Sequence, residues 1–410
     1  MVNVVGLGYI GLPTALMLAS LGIKVVGTDY NEELVHTLNE GKTTFKEKGL
    51  DALFRSALES GISFVTTYQK SEIYIISVPT PYDKATKKID PQYVVEAVKD
   101  VLQYCGKGAI LVIESTISPG TIDRFIRPVV EAEGLIVGSD VHLVHAPERI
   151  IPGNMVYELK HNSRTVGADD EAVAKQVKEL YGSFCEGEIV TTDIRTAEMT
   201  KVVENTFRDI NIAYANELAK ICRSDGMDVH EIIRIANKHP RVNILSPGPG
   251  VGGHCISVDP WFLVGDYPEL ARIIKTARTI NDSMPEYVLA RIHDMMKANE
   301  VHNVARIGIY GLTYKEDVDD VRESPTLQLL DNMERHLSGN QVKVYDPFVQ
   351  QNIVPNQYHD LQEFVNDVDL IVIMVAHSEL KNKTGILREK IVLDARHVFN
   401  KSQIDNLYYL

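Results

Sequence analysis

The chain is poor in cysteine and carries less positive than negative charge. Its 410 residues include four cysteines, none in a paired spacing such as C-x-x-C. This argues against a disulfide framework and favours a reducing compartment such as the cytoplasm. Asp and Glu number 56 against 42 Lys and Arg, which gives a formal net charge of −14. Such a chain is not expected to bind nucleic acid or an anionic membrane surface, although a local basic pocket for phosphate is compatible with it.

Long hydrophobic runs are also absent. Asp369–Ala376 is strongly apolar, but it has the length of a strand rather than of a membrane span. Val2–Gly22 lacks a basic leader and is interrupted by glycine and proline, so neither a signal peptide nor membrane insertion is expected. The composition, with 44% hydrophobic and 24% charged residues, is that of a globular protein. The length predicts two or three domains.

The N-terminal segment has the pattern of a dinucleotide-binding fold. A predicted strand, Met1–Gly6, leads into the turn Gly6-Leu7-Gly8-Tyr9-Ile10-Gly11, an apolar helix follows, and a second strand, Lys24–Thr28, ends at Asp29. The glycines allow a tight turn and a close approach of a pyrophosphate, and the acid accepts hydrogen bonds from ribose hydroxyls. No arginine follows Asp29 to hold a 2′-phosphate, so the sequence predicts NAD rather than NADP.

Two further strands are predicted at Ile73–Val78 and Ala109–Ile113. Thr80 and Thr116 follow them closely. Because ligands bind beyond the carboxyl ends of parallel strands, both threonines are candidates for the cofactor cleft. Ordinary turn chemistry at a strand end would select the same residue type, so this alternative stays open.

The last quarter of the chain repeats this order. The sequence predicts strands and one helix at Ala305–Gly311, Thr326–Leu337 (the helix), Gln341–Tyr345, Asp369–Val375 and Lys390–Asp394. The three-glycine turn is missing from this second copy, which argues against a second NAD and for a different nucleotide. We therefore predict an α/β protein with two doubly wound Rossmann-like domains, at residues 1–190 and 301–410.

A helical region at residues 191–300 is predicted between the two domains. Ile194–Lys220 has helical periodicity without glycine or proline, which indicates a long spine helix, and helical segments follow at Val229–Asn237 and Leu270–Asn299. An apolar face on such a spine suits dimerisation. Burial between domains of one chain would produce the same face.

Lys201, Asn205 and Arg208 lie at positions i, i+4 and i+7 of the predicted spine helix. One helix face therefore carries an ammonium, an amide and a guanidinium group, which suits substrate binding or catalysis. A polar face in contact with solvent is the alternative.

The segment Gly248–Asp259 reads GPGVGGHCISVD and contains the cysteine with the most unusual surroundings. Glycines let a backbone approach a ligand closely, and a thiolate can attack a carbonyl carbon, so Cys255 is a candidate nucleophile. The alternative is an inert buried thiol. His254 has no second His or Cys at ligand spacing, and no metal site is predicted.

Basic residues also follow predicted strands and loops. Arg149 stands next to Glu148 after the predicted strand Val141–Val144, and the chain also offers His239-Pro240-Arg241 and Tyr314-Lys315. In an acidic protein, such placement suggests an anionic ligand such as a diphosphate.

Several motifs together resemble those of the UDP-glucose/GDP-mannose dehydrogenase family over essentially the full length. The matching segments are GLGYIGLP, VPTP, EST, APER, AEMTKVVENTFRD, GPGVGGHC and GLTYKEDVDDVRESP. Within the family, the segments around the spine helix and the cysteine look most like those of members that oxidise UDP-N-acetyl-D-mannosamine for surface polysaccharides. The resemblance implies oxidation of a C6 primary alcohol to a carboxylate with two NAD⁺ and without release of the aldehyde. It also implies a homodimer built through the central helices.

The resemblance further implies roles for individual residues. Cys255 would form a thiohemiacetal and then a thioester. Lys201 would act as general acid/base and would, together with Asn205, stabilise the oxyanion. Asp259 would support the cysteine and water chemistry, and Thr116 and Glu148 would position or activate water. The residues implied for NAD, with the fingerprint glycines, are Gly6, Gly8, Tyr9, Ile10, Gly11, Asp29, Thr80, Thr116 and Arg322. Those implied for the UDP-sugar are Arg149, Ile150, Lys201, Asn205, Arg208, His239, Arg241, Gly252, Tyr314, Lys315 and Arg396.

Three positions depart from the family pattern. Arg396 stands where relatives often have lysine, Ser257 replaces a proline or alanine, and Lys315–Val318 reads KEDV in place of the usual start Lys-Pro-Asn. None of these changes removes a catalytic group, but they bear on the choice of sugar.

Three other functions compete with this one. UDP-N-acetylglucosamine, UDP-glucose or GDP-mannose would be oxidised by the same chemistry. A two-electron hydroxyacid dehydrogenase would need neither Cys255 nor a second nucleotide domain. A non-enzymatic NAD sensor would not need Cys255, Lys201, Asn205 and Asp259 together.

Overall fold

Two β-sheets organise the chain in the computed structural model, which describes residues 1–336, 342–381 and 383–410. The described strands are β1 (Val2–Val5), β2 (Val25–Thr28), β3 (Ser63–Val65), β4 (Ile73–Ile76), β5 (Ala109–Ile113), β6 (Val141–His145), β7 (Arg164–Ala168), β8 (Ile189–Thr192), β9 (Ile307–Tyr310), β10 (Lys343–Tyr345), β11 (Gln357–Tyr358), β12 (Leu370–Ile373), β13 (Ile391–Asp394) and β14 (Asn406–Tyr409). Leu337 and Gln341, which belong to a predicted helix and a predicted strand, lie outside the described residues.

Helices cover both sheets and fill the middle of the chain. The α-helices are α1 (Gly11–Ser20), α2 (Glu32–Asn39), α3 (Leu50–Glu59), α4 (Gln92–Tyr104), α5 (Arg127–Ala132), α6 (Met155–His161), α7 (Glu171–Gly182), α8 (Ile194–Ser224), α9 (Val229–Ala236), α10 (Asp259–Asp266), α11 (Arg272–Asp282), α12 (Met284–Ala298), α13 (Pro325–His336), α14 (Leu361–Asn366) and α15 (Ser378–Lys381). A π-helical turn at Ile122–Ile126 and 3₁₀ turns at Val304–Arg306 and Thr384–Leu387 complete the set. No helix among the described residues is long and apolar enough to cross a bilayer.

The chain divides into two compact units. The first comprises Met1–Glu204 with Trp261–Pro268, and the second comprises Asn205–Pro260 with Glu269–Leu410. The boundary falls inside α8, so this helix contributes residues to both units. The division into three domains at residues 1–190, 191–300 and 301–410 stays a prediction.

The first unit contains an eight-stranded sheet in the order β3-β2-β1-β4-β5-β6-β7-β8. Its strands are parallel except that β6 and β7 are antiparallel. Strands such as β5, which reads AILVI and is buried throughout, are apolar on both sides because helices cover both faces of a parallel sheet. Helix α1 is buried over Gly11–Ala19, as expected for a helix that is apolar all round.

The second unit contains a six-stranded parallel sheet in the order β11-β10-β9-β12-β13-β14. In chain order this is 3-2-1-4-5-6, the same as the first six strands of the other sheet and the order of a dinucleotide-binding fold. The predicted α/β architecture with two doubly wound domains and a helical region between them is confirmed.

The helices observed in the central region differ in their ends and number from those predicted from the sequence. Helix α8 extends four residues beyond the predicted end at Lys220 and stops at Ser224, shortly before Gly226. The single segment predicted over Leu270–Asn299 is two helices, with α12 beginning just before Pro285. Proline lacks an N–H group and suits the first turn of a helix, so it starts α12 rather than continuing α11.

Candidate active site

The glycine turn after β1 has the geometry of a pyrophosphate cradle. Gly6 has φ of +87°, and a Cβ at this position would lie 2.6 Å from the carbonyl oxygen of Ser77. A Cβ at Gly11 would lie 1.8 Å from the carbonyl oxygen of Gly6, whereas one at Gly8 would have no described atom within 4 Å. Gly6 and Gly11 are therefore required by the fold, and Gly8 leaves its side of the turn open. These features fit the pyrophosphate of NAD.

Asp29 connects the end of β2 to this turn. One carboxylate oxygen accepts a 2.8 Å hydrogen bond from the backbone nitrogen of Leu7, and the other accepts one of 2.9 Å from that of Asn31. Tyr9 packs its ring on Phe45 with 4.4 Å between the ring centroids. The acid is half-buried at the strand end, where a dinucleotide fold places its ribose-binding carboxylate.

Three candidate residues follow neighbouring strands of the first sheet. Thr80 follows β4, Thr116 follows β5 and Glu148 follows β6, and these strands pair side by side in parallel. Both threonines are half-buried, while Glu148 is buried. The structure thus brings all three to the carboxyl edge of one sheet.

Arg149 is engaged by protein groups in the first unit. Its guanidinium bonds both carboxylate oxygens of Glu204, at 2.6 and 2.9 Å, and also the carbonyl oxygen of Ser163 and the hydroxyl of Thr165. The neighbouring candidate Ile150 is buried in the core of this unit.

The polar face of α8 is unevenly exposed. Lys201 and Asn205 are buried, whereas Arg208 is exposed. The side-chain nitrogen of Asn205 donates a hydrogen bond of 2.6 Å to Asp259 at the start of α10. The polar face is therefore not a simple solvated surface at Lys201 and Asn205.

Cys255 is exposed, while Cys185 and Cys222 are buried and Cys105 is half-buried. The carbonyl oxygen of Cys255 accepts hydrogen bonds from the backbone nitrogens of Val258 and Asp259, at 3.1 and 2.9 Å. The thiol therefore stands on a tight turn immediately before α10, accessible to a reactant.

The glycines before Cys255 pack against the second nucleotide fold. A Cβ at Gly253 would lie 2.8 Å from the ring of Tyr314, and one at Gly252 would lie 2.8 Å from its Cβ and 2.5 Å from the carbonyl oxygen of Glu323. The backbone nitrogen of Gly253 donates a 3.0 Å hydrogen bond to the backbone carbonyl oxygen of Arg322. Tyr314 and Glu323 therefore leave no room for a side chain at either glycine. The prediction that these glycines admit a ligand stays a prediction.

The remaining candidates for substrate binding are spread over the second unit. Tyr314 and Lys315 are half-buried after β9, and Arg396, half-buried after β13, lies 3.8 Å from Glu316. His239 and Arg241 are exposed after α9. Arg322, which was predicted to contact NAD, forms an ion pair with Asp320.

The second nucleotide fold has an acid, Asp346, at the position that corresponds to Asp29, but hydrogen bonds from the protein occupy both of its carboxylate oxygens. Asp346 follows β10 as Asp29 follows β2, and it accepts from four backbone nitrogens and from His377, which lies 3.2 Å away. The amides belong to Leu312, Thr313, Phe348 and Val349. Burial opposes the charge of Asp346, but the bonds from His377 and the amides outweigh it, so its pKa lies below the ordinary value. An acid occupied in this way is poorly suited to bind a ribose, which agrees with the missing three-glycine turn.

Sequence reasoning missed several polar residues that structure brings to these strand ends. Arg164 forms a buried ion pair with Glu148, and Glu114 was noted only as part of the EST motif. His377 follows β12 without any motif around it. Within residues 1–336, 342–381 and 383–410, no group of three His, Cys, Asp or Glu side chains is arranged to hold a metal ion.

Three family models match almost the whole chain. They describe the NAD binding domain, the central domain and the UDP binding domain of the UDP-glucose/GDP-mannose dehydrogenase family, at residues 1–185, 195–283 and 308–401. Their order agrees with the NAD fold, the helical region and the second nucleotide fold.

Curated relatives and solved structures agree with these models. The chain is 43% identical to a UDP-N-acetyl-D-mannosamine dehydrogenase of Methanococcus aeolicus, covering 97% of this chain and 91% of the relative. The enzyme of the same name from Escherichia coli K12 is 39% identical, with 97% and 99% covered. The structure of the UDP-N-acetyl-mannosamine dehydrogenase Cap5O of Staphylococcus aureus is 41% identical with a TM-score of 0.89, covering 100% of this chain and 97% of that one. A UDP-D-ManNAc dehydrogenase of Pyrococcus horikoshii is 37% identical with a TM-score of 0.92, with 100% and 98% covered.

The matched models, these relatives and the open turn beside Asp29 lead to one assignment. The chain belongs to the UDP-glucose/GDP-mannose dehydrogenase family of NAD-dependent enzymes, and NAD is its cofactor.

Proposed function

We propose that this enzyme oxidises UDP-N-acetyl-D-mannosamine at C6 to UDP-N-acetyl-D-mannosaminuronate, a donor for surface polysaccharides such as a capsule. One primary alcohol, two NAD⁺ and one water give one carboxylate, two NADH and three protons. The exposed thiol of Cys255, on a loop packed against the second nucleotide fold, is the observation that carries this proposal. The names of the relatives support the choice of sugar. We infer that the enzyme works in the cytoplasm.

In the proposed mechanism, the two nucleotide folds bind different ligands. Residues 1–190 hold NAD through the turn at Gly6, Gly8 and Gly11 and through Asp29, and residues 301–410 hold the UDP group. NAD⁺ held at this turn would supply the acceptor for one hydride from the C6 carbon in each oxidation.

The residues of the chain handle the covalent chemistry and the protons. Lys201 takes the proton of the alcohol, and Cys255 then adds to the aldehyde as a thiohemiacetal, which the second oxidation converts to a thioester. Asn205 stabilises the negative oxygen, and Asp259 supports the cysteine through its contact with Asn205. Glu148 and Thr116 position the water that releases the acid.

A homodimer through the central helices is part of the proposal. Phe207, Tyr214 and Ile221 are exposed on α8 at intervals of seven residues, so they form one apolar stripe on that helix. A stripe of large exposed side chains marks a surface suited to a second copy.

The test is NADH formation by the purified protein with a panel of UDP- and GDP-sugars. Two NADH per UDP-N-acetyl-D-mannosamine are expected, with lower kcat/KM for UDP-N-acetylglucosamine, UDP-glucose and GDP-mannose. One NADH per sugar would contradict the four-electron route. A higher kcat/KM for another sugar would contradict the proposed substrate but would be compatible with the proposed mechanism.

A further inference from the structure

Three charged side chains are buried together at one end of the first sheet. Glu114, Glu148 and Arg164 expose 1%, 6% and 3% of their surface. Glu114 follows β5, Glu148 follows β6, and Arg164 begins β7. Strands β6 and β7 pair antiparallel with His145 opposite Gly167, and the same register continued beyond the strand places Glu148 opposite Arg164. The antiparallel step in an otherwise parallel sheet therefore brings a cation to the acid.

Arg164 lies between two carboxylates. Its Nη2 forms an ion pair with Oε2 of Glu148, and its Nη1 lies 3.6 Å from Oε1 of Glu114. The guanidinium carbon also stands 4.4 Å from the ring centroid of Tyr181 and 5.2 Å from that of Phe184. The other oxygen of Glu148 accepts a 2.7 Å hydrogen bond from the backbone nitrogen of Arg149. Both oxygens of Glu148 are thereby held in place.

Glu114 is surrounded by hydroxyl groups from three neighbouring elements. Ser77 donates a 2.7 Å hydrogen bond to it, Tyr181 of α7 donates one of 3.0 Å, and Thr14 of α1 lies 3.3 Å away. Burial raises the pKa of Glu114 to about 7, although Arg164 opposes this shift. Burial therefore favours the protonated form of Glu114, whereas Arg164 and the hydroxyl groups favour its ionised form.

Hydrogen bonding alone does not explain the position of Arg164. Its Nε and Nη1 have no hydrogen-bond partner among the described residues. Burial opposes its charge, but Glu148, Tyr181, Glu114 and Cys185 hold the pKa of Arg164 above the ordinary value. A buried guanidinium with unsatisfied nitrogens is costly compared with an apolar side chain, so a purely structural role gives little reason for it.

We propose that Arg164 is a positioning residue for Glu148 in the release of the acid: its guanidinium holds this carboxylate in one orientation, and Glu114 is the second acid that holds Arg164. This inference rests on the proposed function. The oxygen of water bonds to the C6 carbonyl carbon of the thioester, and one water proton passes to Glu148. The C–S bond breaks, and the leaving thiolate of Cys255 takes up that proton. Thioester and water thus give acid and thiol without a change of oxidation state.

Removal of the cation should change the protonation of the two acids. In Arg164→Met the two carboxylates face each other without a positive charge, so one proton is retained between them. The acid limb of the pH profile of kcat should move to higher pH by about one unit, a tenfold change in proton affinity. The KM for the UDP-sugar should change less than threefold, and Cys255 thioester should accumulate in acid-quenched samples examined by mass spectrometry.

Two further variants separate positioning from a structural role. Glu114→Gln leaves Arg164 with a single carboxylate partner, so the acid limb should move to lower pH. Arg164→Lys retains the charge and should recover most of the wild-type profile. Shifts of opposite sign support the proposal, and unchanged acid limbs in Arg164→Met and Glu114→Gln overturn it. If Arg164→Met does not fold, the shift in Glu114→Gln decides.

A substrate-free measurement keeps this test separate from the proposed function. Infrared spectra at neutral pH should show more protonated carboxyl group in Arg164→Met than in the wild type, and less in Glu114→Gln. Equal carboxyl bands in all three proteins contradict the inference even if the wild type turns over UDP-N-acetyl-D-mannosamine. A wild type that turns over no UDP-sugar contradicts the proposed function, while the infrared bands still decide on Arg164.

Discussion

Asn205 donates a 2.6 Å hydrogen bond to the carboxylate of Asp259, 54 residues later in the chain. Both side chains are buried. The amide comes from the middle of α8, and the acid opens α10, four residues after Cys255. Two groups that the family pattern assigns to one reaction are therefore bonded to each other, and a change in either side chain should disturb the other.

Asn205→Ala should lower kcat on the order of 100- to 1000-fold, the usual cost of losing one donor to a developing oxyanion. Asp259→Ala should also be strongly impaired, because its partner loses its orientation. The double variant should be little worse than the more impaired single variant, since bonded residues are not additive. Steady-state kinetics of the three proteins checks this. Asn211→Ala on the same helix is the control, with kcat near the wild type, and a product of the two single effects in the double variant would refute the coupling.

Cys255→Ser should slow complete oxidation on the order of 1000-fold or more, because a serine alkoxide forms far less readily than a thiolate near neutral pH. The measurement is NADH formed per sugar together with the mass of the quenched enzyme, which should lack a covalent adduct. Cys105→Ser, at a half-buried cysteine, should behave as the wild type. Wild-type rates in Cys255→Ser would exclude the covalent route.

Asp29→Ala should weaken NAD binding by roughly 10- to 100-fold, because charge-assisted hydrogen bonds are lost at the turn and at the ribose. Its discrimination against NADP should also decrease. Fluorescence titration with NADH and NADPH measures both effects. Asp346→Asn, at the corresponding place in the second fold, is the matched comparison: it should lower the melting temperature but leave NADH affinity unchanged. Equal affinity for NADH in Asp29→Ala and the wild type would contradict the assignment.

Phe207→Arg should dissociate the proposed homodimer, because it places a charge in the centre of the apolar stripe on α8. Light scattering after size-exclusion chromatography should give the mass of a dimer for the wild type and of a monomer for the variant. Ile136→Arg is the control, since both side chains are 64% exposed but Ile136 lies away from α8 in the sequence. A monomeric wild type would contradict the dimer.

Arg278→Ala should lower the free energy of unfolding by about 3–5 kcal/mol, because it leaves a buried carboxylate without its cation. Arg278 bonds Asp209 at 2.6 Å, and their side chains are 1% and 0% exposed. Chemical denaturation provides the measurement. Arg234→Ala removes an exposed pair with Glu231 and should change the stability by about 0–1 kcal/mol. Similar losses of unfolding free energy in Arg278→Ala and Arg234→Ala would show that burial of the ion pair does not determine its contribution to stability.

Local patterns were sufficient for the first nucleotide fold. The turn at Gly6, the strand at Ala109–Ile113 and the acid at Asp29 follow from residue types close together in the chain, because turn conformation and strand burial depend on neighbours in sequence. The same holds for the repeated strand order in the last quarter and for the glycine-rich segment that marks Cys255 as a candidate nucleophile. Family, cofactor and fold class could be inferred at that level.

The partners of these residues required the folded chain. Glu148 meets Arg164 because of an antiparallel register. Asp346 meets His377 because they follow β10 and β12, the two strands that flank β9 in one sheet. Asn205 of α8 reaches Asp259 at the start of α10. No local pattern encodes such pairs, since residues far apart in sequence are brought together by sheet register and helix packing. The sequence by itself therefore determines which reactive and binding groups the chain contains. Tertiary contacts decide which of its acids are buried, ion-paired or fully hydrogen-bonded, because these contacts join residues far apart in the chain.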